Sequence, residues 1–161
     1  TFLGGGLVLN NQLVNGKTGN AGAIGSLPFY NGSTQSQLIT QSSLYLLERK
    51  LNDAGHNGQH IYESPSHWSC DTRSIEDWLS ETARGLAFAT QCAMSLLDLD
   101  GVIIDGAIPD DVKNALVAHT QSAMETLDMR GLAQVHISEG LVGRKAQSIG
   151  SANLALQANY Y

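Results

Sequence analysis

What this chain of 161 residues lacks is informative. Cysteine is scarce: Cys70 and Cys92 are the only two, too few for the disulfide framework of a small secreted domain. Basic residues are scarce as well. Nine Lys and Arg stand against fifteen Asp and Glu, a formal charge of -6, and only Arg49-Lys50 and Arg144-Lys145 are adjacent. A nucleic-acid face needs a basic stripe, so this stretch is not expected to touch DNA itself. No run approaches ~18 consecutive apolar residues, and no charged-then-apolar leader opens the chain. The expected location is cytoplasmic, with no membrane partner. Charged residues make up only 15% against 42% hydrophobic, which excludes a disordered segment. A chain of this size buries roughly two thirds of its unfolded surface and needs no disulfide or metal staple.

The chain opens on Thr1 rather than Met and runs straight into Phe2-Leu3-Gly4-Gly5-Gly6-Leu7-Val8-Leu9. That reads as a strand entering a glycine turn, and the expectation is a piece of a longer gene product. Eight of the 17 glycines lie between Gly4 and Gly32, so the front is strand-and-turn territory. Thr1–Asn10 and Gln12–Asn15 read as two strands around an Asn10-Asn11 turn, followed by a glycine-rich loop from Gly16 to Gly32. Asn31-Gly32-Ser33 matches a glycosylation sequon, a short match that is frequent by chance.

From Ser33 onward Leu38, Leu44, Leu47 and Leu51 keep rough helical spacing, with Gly55 as the stop. Gly55–Thr72 is polar and irregular. Ser74 reads as the N-cap of a long amphipathic helix through Ile75, Trp78, Leu79, Leu86, Ala89, Ala93 and Leu97 to about Asp98. Gly101–Asp105 is β-branched and reads as a buried strand. Pro109 fits N1 of the next helix, with Asp110 and Asp111 at its positive end. Val112, Leu116, Ala123 and Leu127 mark the buried face of that helix, and Gly131 its end. Ala133–Ile137 reads as a strand, and Gly143 to about Gln157 as a last helix whose Gly143, Ala146, Gly150 and Ala152 leave a small-residue surface. The alternation in the back half implies parallel pairing with helices packed on the sheet. The front hairpin is expected at the edge of the same mixed sheet.

Four clusters carry candidate chemistry. The turns at Gly4-Gly5-Gly6 and Gly106 expose backbone N–H groups that suit phosphate, or else mark a strand bulge or a helix start. His56, His60, His67 and Cys70 are all zinc-ligand types, but their spacing fits no standard finger, and a solvated loop is the expected reading. Trp68 and Trp78, flanking it, are expected to anchor that loop on the core. Asp98 and Asp100 fall in the loop before the Gly101 strand. Asp105 stands at its C-terminal end, where open α/β sheets place ligands, or where it caps the Pro109 region. No Gly-x-Ser-x-Gly and no cysteine with a base partner is present.

Gly4-Gly5-Gly6-Leu7-Val8-Leu9-Asn10-Asn11-Gln12-Leu13-Val14-Asn15-Gly16, followed by Gly19-Asn20-Ala21-Gly22-Ala23-Ile24-Gly25-Ser26, resembles the ROK family of bacterial repressors and sugar kinases. Leu96-Leu97-Asp98, Val102-Ile103-Ile104-Asp105-Gly106-Ala107 and Gly150-Ser151-Ala152 resemble later parts of the same pattern. The resemblance thins between about Tyr30 and Arg73. It implies an α/β, ribonuclease-H-like (actin-like ATPase) lobe: a mixed sheet with an N-terminal antiparallel hairpin and helices packed on it. Residues 1–161 would be one C-terminal lobe, the N-terminal lobe and any DNA-binding domain lying outside it. The resemblance implies sugar or effector contacts at Asn20, Gly22, Ala23 and Ser26, and nucleotide-phosphate turns at Gly4, Gly5, Gly6, Gly106, Ala107 and Gly150.

The departures from that pattern also carry meaning. Where the family has a sugar-binding Glu and a sugar- and zinc-binding His, this chain has Ala23 and Ser26, and the family's zinc-loop cysteines have no counterpart. Neither a methyl group nor a hydroxyl replaces those donors. The catalytic Asp of the kinases lies upstream of the matched segment. The expectation is therefore a sensor lobe of a ROK-type transcriptional regulator with no catalytic residue and no zinc. Its partners would be a sugar or sugar-phosphate effector, its own N-terminal lobe and a second copy, with DNA met only through another domain. The alternative is the C-terminal lobe of an ATP-dependent sugar kinase with an altered sugar site, which alone would call for Mg-ATP.

Overall fold

The computed structural model describes residues 2–146 and 148–153. Within them the chain is mixed α/β. Two hairpins come first: β1 (Leu7–Leu9) with β2 (Gln12–Val14), then β3 (Pro28–Asn31) with β4 (Thr34–Gln37). Helix α1 (Leu44–Asp53), two 3-10 turns (Gly58–Tyr62 and Pro65–Ser69) and the long α2 (Thr72–Leu97) follow. Strand β5 (Gly101–Ile104), α3 (Asp110–Glu125) and β6 (His136–Glu139) complete a β-α-β unit in which β5 and β6 run parallel.

The first hairpin forms where expected, though β1 starts at Leu7 and leaves Gly4–Gly6 as an irregular segment, neither strand nor assigned turn, that packs against Gly22 and Ile24. Asn10 and Asn11 both sit at positive φ, 52° and 61°, as a two-residue type I′ turn demands. The hairpin does not join a common sheet. Among the described residues there are three separate two-stranded sheets, which corrects the expectation of one mixed sheet. The second hairpin corrects both the Gly16–Gly32 loop and the helix expected from Ser33. Asn31 pairs with Thr34, leaving Gly32 at φ 63° and Ser33 as its two-residue loop. Phe29 then reaches Phe88 of α2, edge to face at 5.5 Å.

Helix α1 is the short part of the expected leucine pattern that survives, because Leu47 and Leu51, one turn apart, are fully buried. Its end is a Schellman motif: His56 N–H donates to Leu51 O and Gly55 N–H to Asn52 O. Helix α2 begins at Thr72, not after Ser74. Asp71 is its N-cap, accepting from Arg73 N–H at 3.1 Å, and Ser74 donates its hydroxyl to the same carboxylate. An acid outcompetes a serine here because it accepts both bonds at once.

Helix α3 begins at Asp110 with Pro109 as N-cap rather than N1, and it ends at Glu125, well before Gly131. Strand β6 begins three residues later than expected and ends two later, at His136–Glu139. Strand β5 is only half buried: Ile104 faces the core, but Ile103 is 72% exposed, against the expectation of a buried strand. The expected last helix begins as a 3-10 turn at Gly143–Lys145 and is helical at 146 and 148–153. The remainder of that expectation lies outside the described residues.

One core joins these elements. Leu47 and Leu51 of α1, Trp78, Leu79 and Ala83 of α2, Leu116 and Val117 of α3, and Ile104 and Ile137 of β5 and β6 form a single buried cluster. Each large apolar side chain so buried contributes roughly 1.5–3 kcal/mol. The polar segment between α1 and α2 is pinned to that cluster by Ile61 and Trp68. Trp68 stacks edge-on against Trp78 at 6.1 Å. Their indole N–H groups donate to Ile61 O and Ser43 O, so both tryptophans act as the expected anchors. No helix of the described residues is long and apolar enough to cross a membrane.

Candidate functional site

The Gly4–Gly6 segment and the loop after the first hairpin fold onto each other. Ala21 N–H donates to Asn15 O, Ala23 N–H to Asn20 O and Ser26 N–H to Ala23 O, winding residues 20–26 into a tight path that ends in a 3-10 turn (Ile24–Ser26). Gly5 and Gly22 make the approach possible. A Cβ on Gly5 would stand 2.6 Å from Gly22 O, and Gly22, at φ 80°, would place a Cβ 2.9 Å from Gly6 C. Only glycine tolerates both the angle and the distance.

The result is an open pocket of about 240 Å3 lined by Gly4, Gly5, Asn20, Ala23, Ser26 and Ile39, among others. The structure thus brings together two sets of residues that the sequence pattern had assigned to different ligands: Asn20, Ala23 and Ser26 from the sugar set, Gly4 and Gly5 from the phosphate set. Gly6 and Gly22 pack against each other without lining the pocket. Ile39, from the 3-10 turn after β4, escaped the sequence reading because the hairpin that delivers it was not anticipated. Gly32-Ser33, a glycine-first two-residue turn, was the signal for that hairpin.

The pocket's chemistry is narrow. Asn20 offers a carbonyl and two amide N–H, though one N–H already contacts Thr18 Oγ1 at 3.2 Å. Ser26 offers one hydroxyl, and the rest is backbone and aliphatic surface. Among the described residues no lining side chain is titratable, so none of them takes or gives a proton at neutral pH. The set suits a neutral, polyhydroxylated ligand held by hydrogen bonds.

Gly106, Ala107 and Gly150 do not line this pocket. Gly106 follows β5, and its neighbour Asp105 organises a second centre. One Asp105 oxygen accepts Gly106 N–H at 2.8 Å, and the other accepts Val142 N–H at 3.1 Å and Gly143 N–H at 3.0 Å. Lys113 of α3, 5% exposed, stands 3.6 Å from the same carboxylate, 3.2 Å from Asp110, and donates to Gly140 O at 2.7 Å. Burial pushes the Asp105 carboxyl up, but the N–H groups of Gly143, Gly106 and Val142 and the Lys113 ammonium outweigh it and hold it below its ordinary value. Asp105 therefore ties the end of β5 to the loop after β6. That corrects the alternative in which it caps the Pro109 helix directly. Lys113, Gly140 and Val142 were not singled out from sequence. A lysine in a stripe otherwise read by its apolar members, between Val112 and Leu116, was the available sign.

The histidine segment remains a surface feature. His60 and His67 lie ring to ring at 5.1 Å. Asn57 Nδ2 is 2.9 Å from His60 Nε2, and His67 Nδ1 is 3.0 Å from His60 O. Those ring nitrogens serve to close the two 3-10 turns. Among the described residues no group of three or more His, Cys, Asp or Glu gathers to hold a metal. With Ser26 where the family pattern has a histidine, the donors present do not fit the zinc that the resemblance implies. A further groove between α3 and β6, about 480 Å3, is lined by Asn114, Gln121, His136 and Glu139.

The chain shares its fold with solved proteins of the ROK family. The chain is similar to a ROK family glucokinase from Streptomyces griseus, solved with glucose and AMPPNP, at 21% identity and a TM-score of 0.73, covering 98% of this chain and 58% of that one. It is similar to a ROK family protein from Streptococcus pneumoniae, solved with sucrose, at 18% identity and a TM-score of 0.71, covering 96% and 55%. A ROK family transcriptional regulator, a homolog of the E. coli Mlc protein, matches at 18% identity and a TM-score of 0.65, covering 84% and 38%. The chain thus spans little more than half the length of the first of these structures. No protein-family model and no curated protein matches it.

Proposed function

We propose that this chain is the effector-sensing lobe of a ROK-type transcriptional regulator, binding a sugar or sugar phosphate whose neutral hydroxyls lie in the pocket formed by Gly4, Gly5, Asn20, Ala23 and Ser26. The observation that carries this reading is that pocket's donor set: hydrogen-bonding groups for hydroxyls, and no titratable side chain among the described residues. Ala23 and Ser26 stand where the resemblance has a carboxylate and an imidazole, so the pocket keeps a place for the ligand and loses two of the groups that would grip it. The mechanism is population shift. An effector that binds better to one arrangement of this lobe and its own N-terminal lobe biases that arrangement, and a DNA-binding domain elsewhere in the protein reports it. A second copy of the chain completes the expected assembly in the cytoplasm.

The alternative, the C-terminal lobe of an ATP-dependent sugar kinase with an altered sugar site, draws on the likeness to the Streptomyces glucokinase. The test is a thermal-shift screen of neutral sugars and sugar phosphates on the protein, repeated with Asn20→Ala. A ligand that stabilises the wild type and loses its effect in the variant supports the sensor reading. ATP-dependent phosphorylation of any sugar by the full-length protein overturns it.

A further inference from the structure

The fold family implies a nucleotide, and the turn after β5 is where the resemblance places part of its phosphate contact. The donors of that turn are already engaged. Gly106, Val142 and Gly143 point their backbone N–H groups at one carboxylate, that of Asp105. Convergent backbone N–H groups are the usual means of holding a phosphate oxygen. Here an internal anion holds them, with the buried Lys113 ammonium beside it. The arrangement is built rather than incidental. Gly140 lies under the Asp105 side chain, where any Cβ would stand 2.5 Å from Asp105 Cβ and 2.7 Å from its Oδ2, so the chain keeps a glycine there and the carboxylate lies flat across it. A phosphate entering this turn would have to displace Asp105 from three N–H donors and then face its negative charge at close range.

We infer that Asp105 is a built-in anion that fills the N–H cluster joining the ends of β5 and β6, and that this turn therefore excludes the nucleotide phosphate the fold family would place there. The residues present do not fit that group. The same contacts let Asp105 lock the loop after β6 to the end of β5, so the two loops move as one body. The inference rests on the reading of a lobe that works without phosphoryl transfer, and it is tested apart from it. Sugar binding is read at Asn20 and Ser26, anion binding at Gly106, Val142 and Gly143.

The experiment is an amide NMR titration of the protein with inorganic phosphate and with Mg-AMPPNP. In the wild type both ligands leave the Gly106, Val142 and Gly143 resonances in place. In Asp105→Gly, phosphate moves all three, with a gain in apparent affinity on the order of tenfold. Asp105→Asn keeps the side-chain shape and one acceptor while removing the charge, and it admits phosphate more weakly than the glycine variant. It also supplies the reading if the glycine variant does not fold. Movement of those three resonances in the wild type overturns the inference. So does a folded variant without the carboxylate in which phosphate moves none of them. A sugar response at Asn20 and Ser26 leaves the inference untouched, and its absence counts only against the sensor reading.

Discussion

Lys113 Nζ donates to the carbonyl of Gly140 at 2.7 Å across the gap between α3 and the loop after β6. The side chain is 6% exposed, and its charge is answered by Asp105 and Asp110. Replacing it with Met keeps the aliphatic stem and removes the ammonium. The Gly140 carbonyl then has no side-chain donor, and Asp105 loses its nearest cation. The two carboxylates are partly solvated, so the cost is set mainly by the buried carbonyl, about 1–3 kcal/mol. Urea denaturation of Lys113→Met measures it. A loss of stability of only a few tenths of that range would mean that the ammonium is no keystone of this loop.

Gly140→Ala tests the same junction from the other side. The added Cβ meets Asp105 Cγ at 2.6 Å, and the carboxylate cannot retreat without giving up its N–H partners. Overpacking of this kind costs roughly 1–3 kcal/mol. The pair is coupled, so the penalties of Gly140→Ala and Asp105→Gly are not additive. The double variant is expected to be more stable than the sum of the two losses, because the alanine then has room. Simple additivity in a double-mutant cycle would show that the two side chains do not share the space.

The lowered Asp105 pKa fixes the sign of a pH dependence. A carboxylate held below its unfolded value contributes stability that is present above the ordinary carboxylate range and is lost as pH falls through the folded value. Asp71, held down by the Ser74 hydroxyl, and Asp128, held down by Arg130, add to the same acid slope from the surface. The comparison is therefore wild type against Asp105→Asn. The variant starts lower at neutral pH, and the two stability curves converge on acidification. Parallel curves down to the acid limit would refute the assignment.

How much of this was legible in the sequence depends on range. The β1–β2 hairpin and the cap on α1 were written locally, in Asn10-Asn11 and in Gly55, because a positive φ needs a residue that tolerates it. The parallel pair β5–β6 followed from the alternation of strand and helix. The β3–β4 hairpin was hidden because Thr34–Gln37 is polar and carries no alternating apolar pattern. Its only marker was Gly32-Ser33. The start of α2 was misplaced because Asp71 and Ser74 are both good caps, and only the three-dimensional bond between them decides which one serves. The pocket was half legible. Its loop was recognisable by pattern, but its meeting with Gly5 depends on a contact that no local spacing encodes. The Asp105 centre draws on Gly140, Val142 and Gly143, more than thirty residues away, and only the fold assembles it.

Thr82 offers a check on the core. It is 2% exposed within α2, and its hydroxyl has no hydrogen-bond partner among the described residues. A buried polar group without a partner costs about 1–3 kcal/mol. Thr82→Val keeps the branched shape and removes the oxygen, so it is expected to raise the thermal midpoint. A calorimetric midpoint below that of the wild type would show that the hydroxyl is satisfied in solution.

Gly22→Ala addresses the pocket itself. Gly22 is at φ 80°, and its Cβ would meet Gly6 C at 2.9 Å and Leu7 N at 3.0 Å, backbone atoms with no rotamer to yield. An L-residue in that conformation costs about 1–2 kcal/mol before the contact is counted. The loop 20–26 must then lift from the Gly4–Gly6 segment, which separates Asn20 and Ser26 from Gly4 and Gly5. The core of α1, α2 and α3 lies elsewhere and keeps its packing. The expected result is a protein that remains folded by far-ultraviolet circular dichroism, with its sugar-induced thermal shift abolished. If the variant keeps the full sugar response, the ligand does not sit between the Gly4–Gly6 segment and the loop, and the pocket proposed as the sensor is the wrong one.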